Sequence, residues 1–386
     1  MSVTAPKGFR AAGVAAGIKG SGALDLALVV NDGPQYAAAG AFTSNKVKAA
    51  PVLWSEQVLT GGTLRAVVLN SGGANACTGP EGFQTTHATA EQVAEALGCG
   101  AVEVAVCSTG LIGAQLPKAA VLGGVVAAAG ALADGPDAGT AAARAVMTTD
   151  TVPKEAFRAV PAGWSVGGFA KGAGMIAPSM ATMLAVLTTD AVVDRFTLDD
   201  SLRQATRRTF DRLDVDGSMS TNDTVLVLAS GASGVTVGGP ELAQVLTAVC
   251  DDLARQMQAD AEGVTKRITV RVVEAPSEQD AVTIARAVAR DSLVKTALFG
   301  SDPNWGRIAA AAGAADAPLD PDRLGVAVNG VALCRKGVAA GDRSAADLSG
   351  AEVLVEVSLG LGEATADIRT TDLSHAYVEE NSAYSS

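Results

Sequence analysis

The segment Lys171-Gly-Ala-Gly-Met-Ile-Ala-Pro-Ser-Met-Ala-Thr182 separates two short apolar runs, Trp164–Ala170 and Thr182–Thr188. Its glycines and proline oppose a continuous helix, because Gly is conformationally costly to order and Pro lacks an amide hydrogen. The flanking runs have the length and β-branched content of buried strands. The segment therefore reads as a strand-to-strand loop whose backbone can approach Thr182 closely. Its last bond joins a small residue, Ala181, to a hydroxyl residue at the head of an apolar run. A peptide bond N-terminal to Thr can be attacked by that residue's own hydroxyl, giving an ester that water cleaves. The new N-terminal Thr would carry a nucleophile beside an α-amine whose unperturbed pKa of roughly 7.7–8.0 suits a general base. Thr before an apolar run is also an ordinary strand start, so the junction alone leaves both readings open.

Pattern along the rest of the chain extends this organisation. Leu64–Leu69 and Val102–Cys107 read as buried strands ending in Gly-rich turns, with helical spacing over Thr86–Leu97 and Ala138–Met147. Val121–Ala133 reads as a buried helix. Further on come a helix near Leu198–Phe210, a strand at Thr224–Ala229 and a helix at Glu241–Ala259, whose Leu242, Val245, Leu246, Val249, Leu253 and Met257 form one apolar stripe. Arg267–Val273 (strand) and Glu278–Arg290 (helix) follow. Beyond about residue 295 strands dominate: Leu324–Val328, Val331–Arg335, Val353–Val357 and Ala364–Thr370. Several strands have no crossover helix between them. The expectation is an α/β layered sandwich with mixed β-sheets, plus a smaller C-terminal α/β domain over about 295–386.

The 386 residues are enough for two or three domains. A net charge of -12, from 29 basic and 41 acidic residues, argues against nucleic acid as a partner. With 43 glycines and 4% aromatics the chain reads as tightly packed layers. Its five cysteines show no CxxC spacing, which disfavours zinc or a disulfide framework and suits a reducing cytoplasm. We expect no metal, no signal peptide and no membrane helix, since no apolar run approaches the roughly 18 residues required.

The remaining constellations are weak on their own. Gly172-x-Gly174-x-x-Ala177 resembles a dinucleotide fingerprint, but Pro178 and Ser179 follow where a helix should open. Asp214-Val-Asp216-Gly217 places Gly too early for a calcium loop and reads as a turn. Two histidines exist: His87, at the start of a helical pattern, and His375 near the end. Neither adjoins a nucleophile elbow, so a base other than imidazole is attractive. Ser108-Thr109-Gly110 ends a strand and reads either as an oxyanion-donor turn or as a helix cap.

Ten blocks taken together are far more specific. Besides the 171–184 segment they include Pro6–Gly13, Asn70-Ser-Gly-Gly-Ala-Asn-Ala-Cys-Thr-Gly79, Ser108-Thr-Gly-Leu-Ile-Gly113 and Met147-Thr-Thr-Asp-Thr-Val-Pro-Lys154. Phe210–Gly217, Ser220-Thr-Asn-Asp-Thr224, Asp260–Lys266, Phe299–Arg307 and Arg369–Ser382 complete the set. In this order they resemble the ornithine acetyltransferases over essentially the whole chain. The resemblance implies N-terminal-nucleophile chemistry, with self-cleavage between Ala181 and Thr182 into an α chain (1–181) and a β chain (182–386). It implies an assembly of two α and two β chains. Acetyl would pass from N-acetylornithine to glutamate through a Thr182 ester, with Thr109 and Gly110 as oxyanion donors. Thr148, Lys171, Thr182, Glu262, Asn381 and Ser386 match the substrate-binding positions; a Lys such as Lys171 is a simple holder of the α-carboxylate shared by both substrates. No cofactor is implied. Some members also accept acetyl-CoA as a substrate, and the residues leave that open here. Two alternatives stand beside this reading: a self-processing Thr-nucleophile amidase or aminopeptidase, and a non-enzymatic binding protein.

Overall fold

A computed structural model describes residues 2–177 and 183–383. Ala181, Thr182 and Ser386 lie outside the described residues. The chain divides into two compact units, Met1–Asp211 with Ser218–Met257, and Arg212–Gly217 with Gln258–Ser385.

The first unit begins with β1 (Phe9–Val14), β2 (Leu26–Asn31), β3 (Ala37–Phe42), α1 (Ala50–Val58), β4 (Ala66–Ser71) and α2 (Gly79–Leu97). It continues through β5 (Val104–Thr109), α3 (Lys118–Gly130), α4 (Pro136–Ala145), β6 (Lys154–Val160) and β7 (Trp164–Lys171). After the junction come β8 (Leu184–Thr189), α5 (Arg195–Arg208), β9 (Thr224–Ala229) and α6 (Gly239–Ala259). Among the described residues these strands form two mixed sheets, ordered β1-β2-β4-β5 and β3-β9-β8-β7-β6. In the first, only β4 and β5 run parallel; in the second, only β8 and β9 do.

Every residue of β2, β4, β5, β7, β8 and β9 is buried, as their near-continuous apolar runs require. One core cluster joins Leu28, Val67 and Val106 of the first sheet to Phe169, Val186 and Leu226 of the second. Each such side chain contributes roughly 1.5–3 kcal/mol on burial. Helices α3 and α4 pack on β1 and β2, α1 and α2 on β5, and α5 on β3. The expected layering of helices and mixed sheets is borne out. Strands β7 and β8 are antiparallel neighbours, with Lys171 opposite Leu184, so the Gly/Pro segment does connect adjacent strands.

The second unit contains β10 (Arg267–Ala275), α7 (Glu278–Arg290), α8 (Ser292–Phe299), α9 (Trp305–Gly313), β11 (Gly325–Val328) and β12 (Val331–Arg335). It closes with β13 (Val338–Ala339), β14 (Glu352–Ser358), β15 (Ala364–Thr371) and α10 (His375–Ala383). Its sheet has the order β13-β12-β11-β14-β10-β15, with only β10 and β14 parallel. This unit starts well before residue 295. Strand β10 is bonded on one side to β14 and on the other to β15, and α7 covers β10 and β15. The compositional shift at 295 marks only where helices give way to strands.

Two local expectations change. The helix placed at Val121–Ala133 runs over Lys118–Gly130 and buries one face, through Val121, Gly124, Val125 and Ala128, while Val126 is 57% exposed. Helix α2 starts at Gly79, eight residues ahead of His87. His87 is therefore mid-helix, its ring edge-on to Trp54 at 5.0 Å.

Candidate active site

Strand β5 ends at Thr109 because Gly110 turns the chain at φ +131°, a conformation that L side chains rarely adopt. A Cβ at this position would also come within 2.5 Å of the Gly73 nitrogen. The Gly73 N–H donates to the Thr109 carbonyl at 3.0 Å and the Ala74 N–H to the Leu111 carbonyl at 3.0 Å, so residues 73–74 clamp the turn. Asn70 steadies it from below: the Ser108 hydroxyl donates to Asn70 Oδ1 at 2.6 Å, and Asn70 Nδ2 donates to the Gly73 carbonyl at 3.1 Å. The next helix begins at Lys118 with Pro117 as its cap. Among the described residues Thr109 caps no helix, so the helix-cap reading of Ser108–Gly110 does not hold.

Lys171 is the last residue of β7 and is only 1% exposed. Its ammonium donates to Thr109 Oγ1 at 3.3 Å. The adjacent Gly172 N–H donates to Asp150 Oδ1 at 2.7 Å, and Lys154 Nζ donates to the same oxygen at 2.6 Å. Thr148 joins through its backbone, its N–H donating to Asp150 Oδ2 at 3.0 Å. Burial alone would raise the Asp150 carboxyl. The Lys171 and Lys154 ammoniums, the Lys154 hydrogen bond and the Gly172 N–H outweigh it and bring the group down to about 2. Asp150 is thus a buried carboxylate that faces two buried lysines.

The arrangement has a chemical consequence. A hydroxyl oxygen that accepts from an ammonium is polarised, and its own proton stays available for donation. Thr109 is set up in this way beside the only kind of residue, Gly, that its following turn tolerates. An acyl oxygen developing negative charge could be met there by a hydroxyl backed by Lys171.

The structure thus brings Thr109, Gly110, Thr148 and Lys171 together around Asp150. Asp150 and Lys154 both lie in the segment Met147–Lys154. Only their spacing of four residues hinted at a pair, and they lie in no helix.

In the second unit, Asn381 on α10 donates through Nδ2 to Glu262 Oε2 at 3.0 Å. The approach depends on Gly263, at φ +62°, where a Cβ would lie 2.2 Å from the Tyr377 nitrogen. Tail residues up to Ala383 are helical instead of frayed. His375, the first residue of α10, packs edge-on to Phe299 at 5.3 Å.

The ArgJ family model matches residues 10–386. The arginine biosynthesis bifunctional protein ArgJ of Mycolicibacterium paratuberculosis is 64% identical, covering 100% of this chain and 96% of the relative. The protein of the same name from Streptomyces coelicolor is 59% identical over 100% of both chains. A crystal structure of ornithine acetyltransferase complexed with ornithine, from Mycobacterium tuberculosis, is 65% identical, covers 46% of this chain and 94% of its own, and has a TM-score of 0.46.

Proposed function

The chain belongs to the ArgJ family, and from that premise we propose that it transfers acetyl from N-acetylornithine to glutamate in arginine biosynthesis. The observation that carries the site reading is the buried Lys171 ammonium directed at the Thr109 hydroxyl. In this reading the chain first cleaves itself between Ala181 and Thr182. The Thr182 hydroxyl then attacks the acetyl carbonyl while the Thr182 α-amine takes its proton. Thr109 Oγ–H and the Gly110 N–H donate to the tetrahedral oxyanion. Collapse breaks the C–N bond, the α-amine returns the proton to the departing nitrogen, and ornithine leaves. The amine of glutamate attacks the acetyl-Thr182 ester and regenerates the hydroxyl.

Lys171 and Thr148 are proposed to serve the substrate end of this site, and Glu262, Asn381 and Ser386 to bind substrate groups. Asp150 is proposed as a counter-charge to the buried Lys171. No resident cofactor is invoked. The relatives are named bifunctional, so the proposal includes acetyl-CoA as a second acetyl source, acting as substrate. It also includes an assembly of two α and two β chains.

Initial rates with both substrates varied should give parallel double-reciprocal lines, the signature of a ping-pong reaction. Intersecting lines, or free acetate released equally fast with and without glutamate, would transfer the assignment to a hydrolase in which water is the acceptor.

A further inference from the structure

The block Ser220-Thr-Asn-Asp-Thr224 leads into β9, and none of its residues has a part in the chemistry described so far. Asn222 is 3% exposed and Asp223 is fully buried. Asn222 Nδ2 donates to the Ser108 carbonyl at 2.8 Å and to the Ala74 carbonyl at 2.6 Å. The Ser108 carbonyl belongs to the peptide unit that carries the Thr109 N–H. Ala74 belongs to the clamp on the 109–111 turn. One amide side chain therefore holds both walls of the oxyanion-donor turn. Its own oxygen accepts from the Thr221 hydroxyl at 2.6 Å, which fixes the orientation of the amide.

The next residue faces the other half of the machinery. Asp223 Oδ1 accepts from the Met183 N–H at 3.0 Å, and Met183 follows Thr182 in the chain. The Thr224 N–H donates to the Met183 carbonyl at 3.1 Å, so both polar groups of the Met183 backbone are pinned. Asp223 Oδ2 is buried without a hydrogen-bond partner. A buried carboxyl oxygen without a partner is costly, and its retention calls for an explanation. Burial holds this carboxyl well above the usual carboxylate range, and the Met183 N–H and the Lys171 ammonium offset it only in part.

We propose that Asn222 and Asp223 are positioning residues that hold Met183, the residue next to the nucleophile Thr182 in sequence, and the Thr109–Gly110 donor turn at a fixed separation. Two consecutive residues on one rigid strand entry grip the two parts, so the distance between them is governed by a single stretch of backbone. The inference rests on the functional reading above, because it takes Thr182 as the nucleophile and Thr109 and Gly110 as the donors.

The test compares wild type with Asp223→Ala, Asp223→Asn and Asn222→Ser. Kinetics are expressed per chain that N-acetylornithine can acetylate in the absence of glutamate. Asp223→Ala should lower kcat per such site by roughly 10²-fold with KM little changed, the cost of a misplacement on the order of 1 Å. Asp223→Asn keeps an oxygen that can accept from Met183 and should recover most of the rate. Asn222→Ser should lower kcat in the same manner. A folded Asp223→Ala chain that stays uncleaved would support the inference equally, since processing uses the same hydroxyl. A merely structural role would reduce the number of active sites and the thermal stability while leaving kcat per site at the wild-type value. That outcome overturns the proposal, as does an Asp223→Asn protein no better than Asp223→Ala. If Asp223→Ala does not fold, the Asp223→Asn and Asn222→Ser proteins still decide it. A wild type that cleaves but transfers no acetyl would remove the functional reading instead, and the variants' rates of Ala181–Thr182 cleavage would then test the positioning claim.

Discussion

Asp150 stays ionised against its burial through groups that the fold brings to it. Its carboxylate accepts from Lys154 and Gly172 and lies close enough to Lys171 to be pulled down to about 2. A carboxyl depressed below its unfolded value stabilises the fold above the unfolded pKa, and that contribution is lost as pH falls through the folded value. The window here runs from about pH 4 down to about pH 2. Asp150→Asn removes a buried carboxylate that faces two buried lysines and should cost about 3–5 kcal/mol in urea unfolding at pH 7. Because the wild type loses the same contribution in acid, the gap between the two proteins should narrow between pH 4 and pH 2. A gap that stays constant over that range would show that Asp150 is not ionised against its lysines. Only part of this role is local to Met147–Lys154: Lys154 lies four residues on, but Lys171 and Gly172 are distant in sequence and reach Asp150 only through the fold.

At the level of elements, the proposed cleavage point has a mechanical consequence. It lies between β7 and β8, yet the five-stranded sheet has the order β3-β9-β8-β7-β6. Strands β3, β6 and β7 fall before Thr182 and β8 and β9 after it, so β8 pairs with β7, and β9 with β3, across the two products. The fragments should therefore co-elute in native chromatography and separate only in denaturant; separation under native conditions would contradict this interleaving. Much of this architecture was legible. Strands β4, β5, β7, β9, β12, β14 and β15 and helices α6 and α7 carry strong apolar runs or stripes and lie where pattern put them, within a few residues. Strands β1 and β3 were not legible, for a physical reason. Ala37-Ala-Ala-Gly-Ala-Phe42 has little intrinsic β-propensity and is a strand because it pairs residue by residue with β9. In β1, Gly13 allows α4 to approach so closely that a Cβ would sit 2.1 Å from the Ala141 carbonyl oxygen. Small residues that exist for packing look, in sequence, like the absence of a signal.

For the whole molecule, the ten blocks and the family match span the chain, while the compact units do not follow the proposed α and β chains. The second unit takes in only part of the residues after Thr182, Arg212–Gly217 and Gln258–Ser385, while Ser218–Met257 belongs to the first. Residues in each unit match the resemblance. Thr109, Gly110, Thr148 and Lys171 gather in the first, and Glu262 pairs with Asn381 in the second. That grouping was not readable from spacing, because it depends on where strands end instead of on any local motif. The claim that unites these parts is a covalent acetyl group on Thr182. The direct measurement is the denaturing mass of each fragment after the protein is mixed with N-acetylornithine in the absence of glutamate. The account predicts two fragments, with the 182–386 fragment heavier by one acetyl group on its N-terminal Thr, and loss of that acetyl when glutamate is added. An intact chain, or cleaved fragments that never gain the acetyl group while N-acetylornithine is consumed, would contradict it.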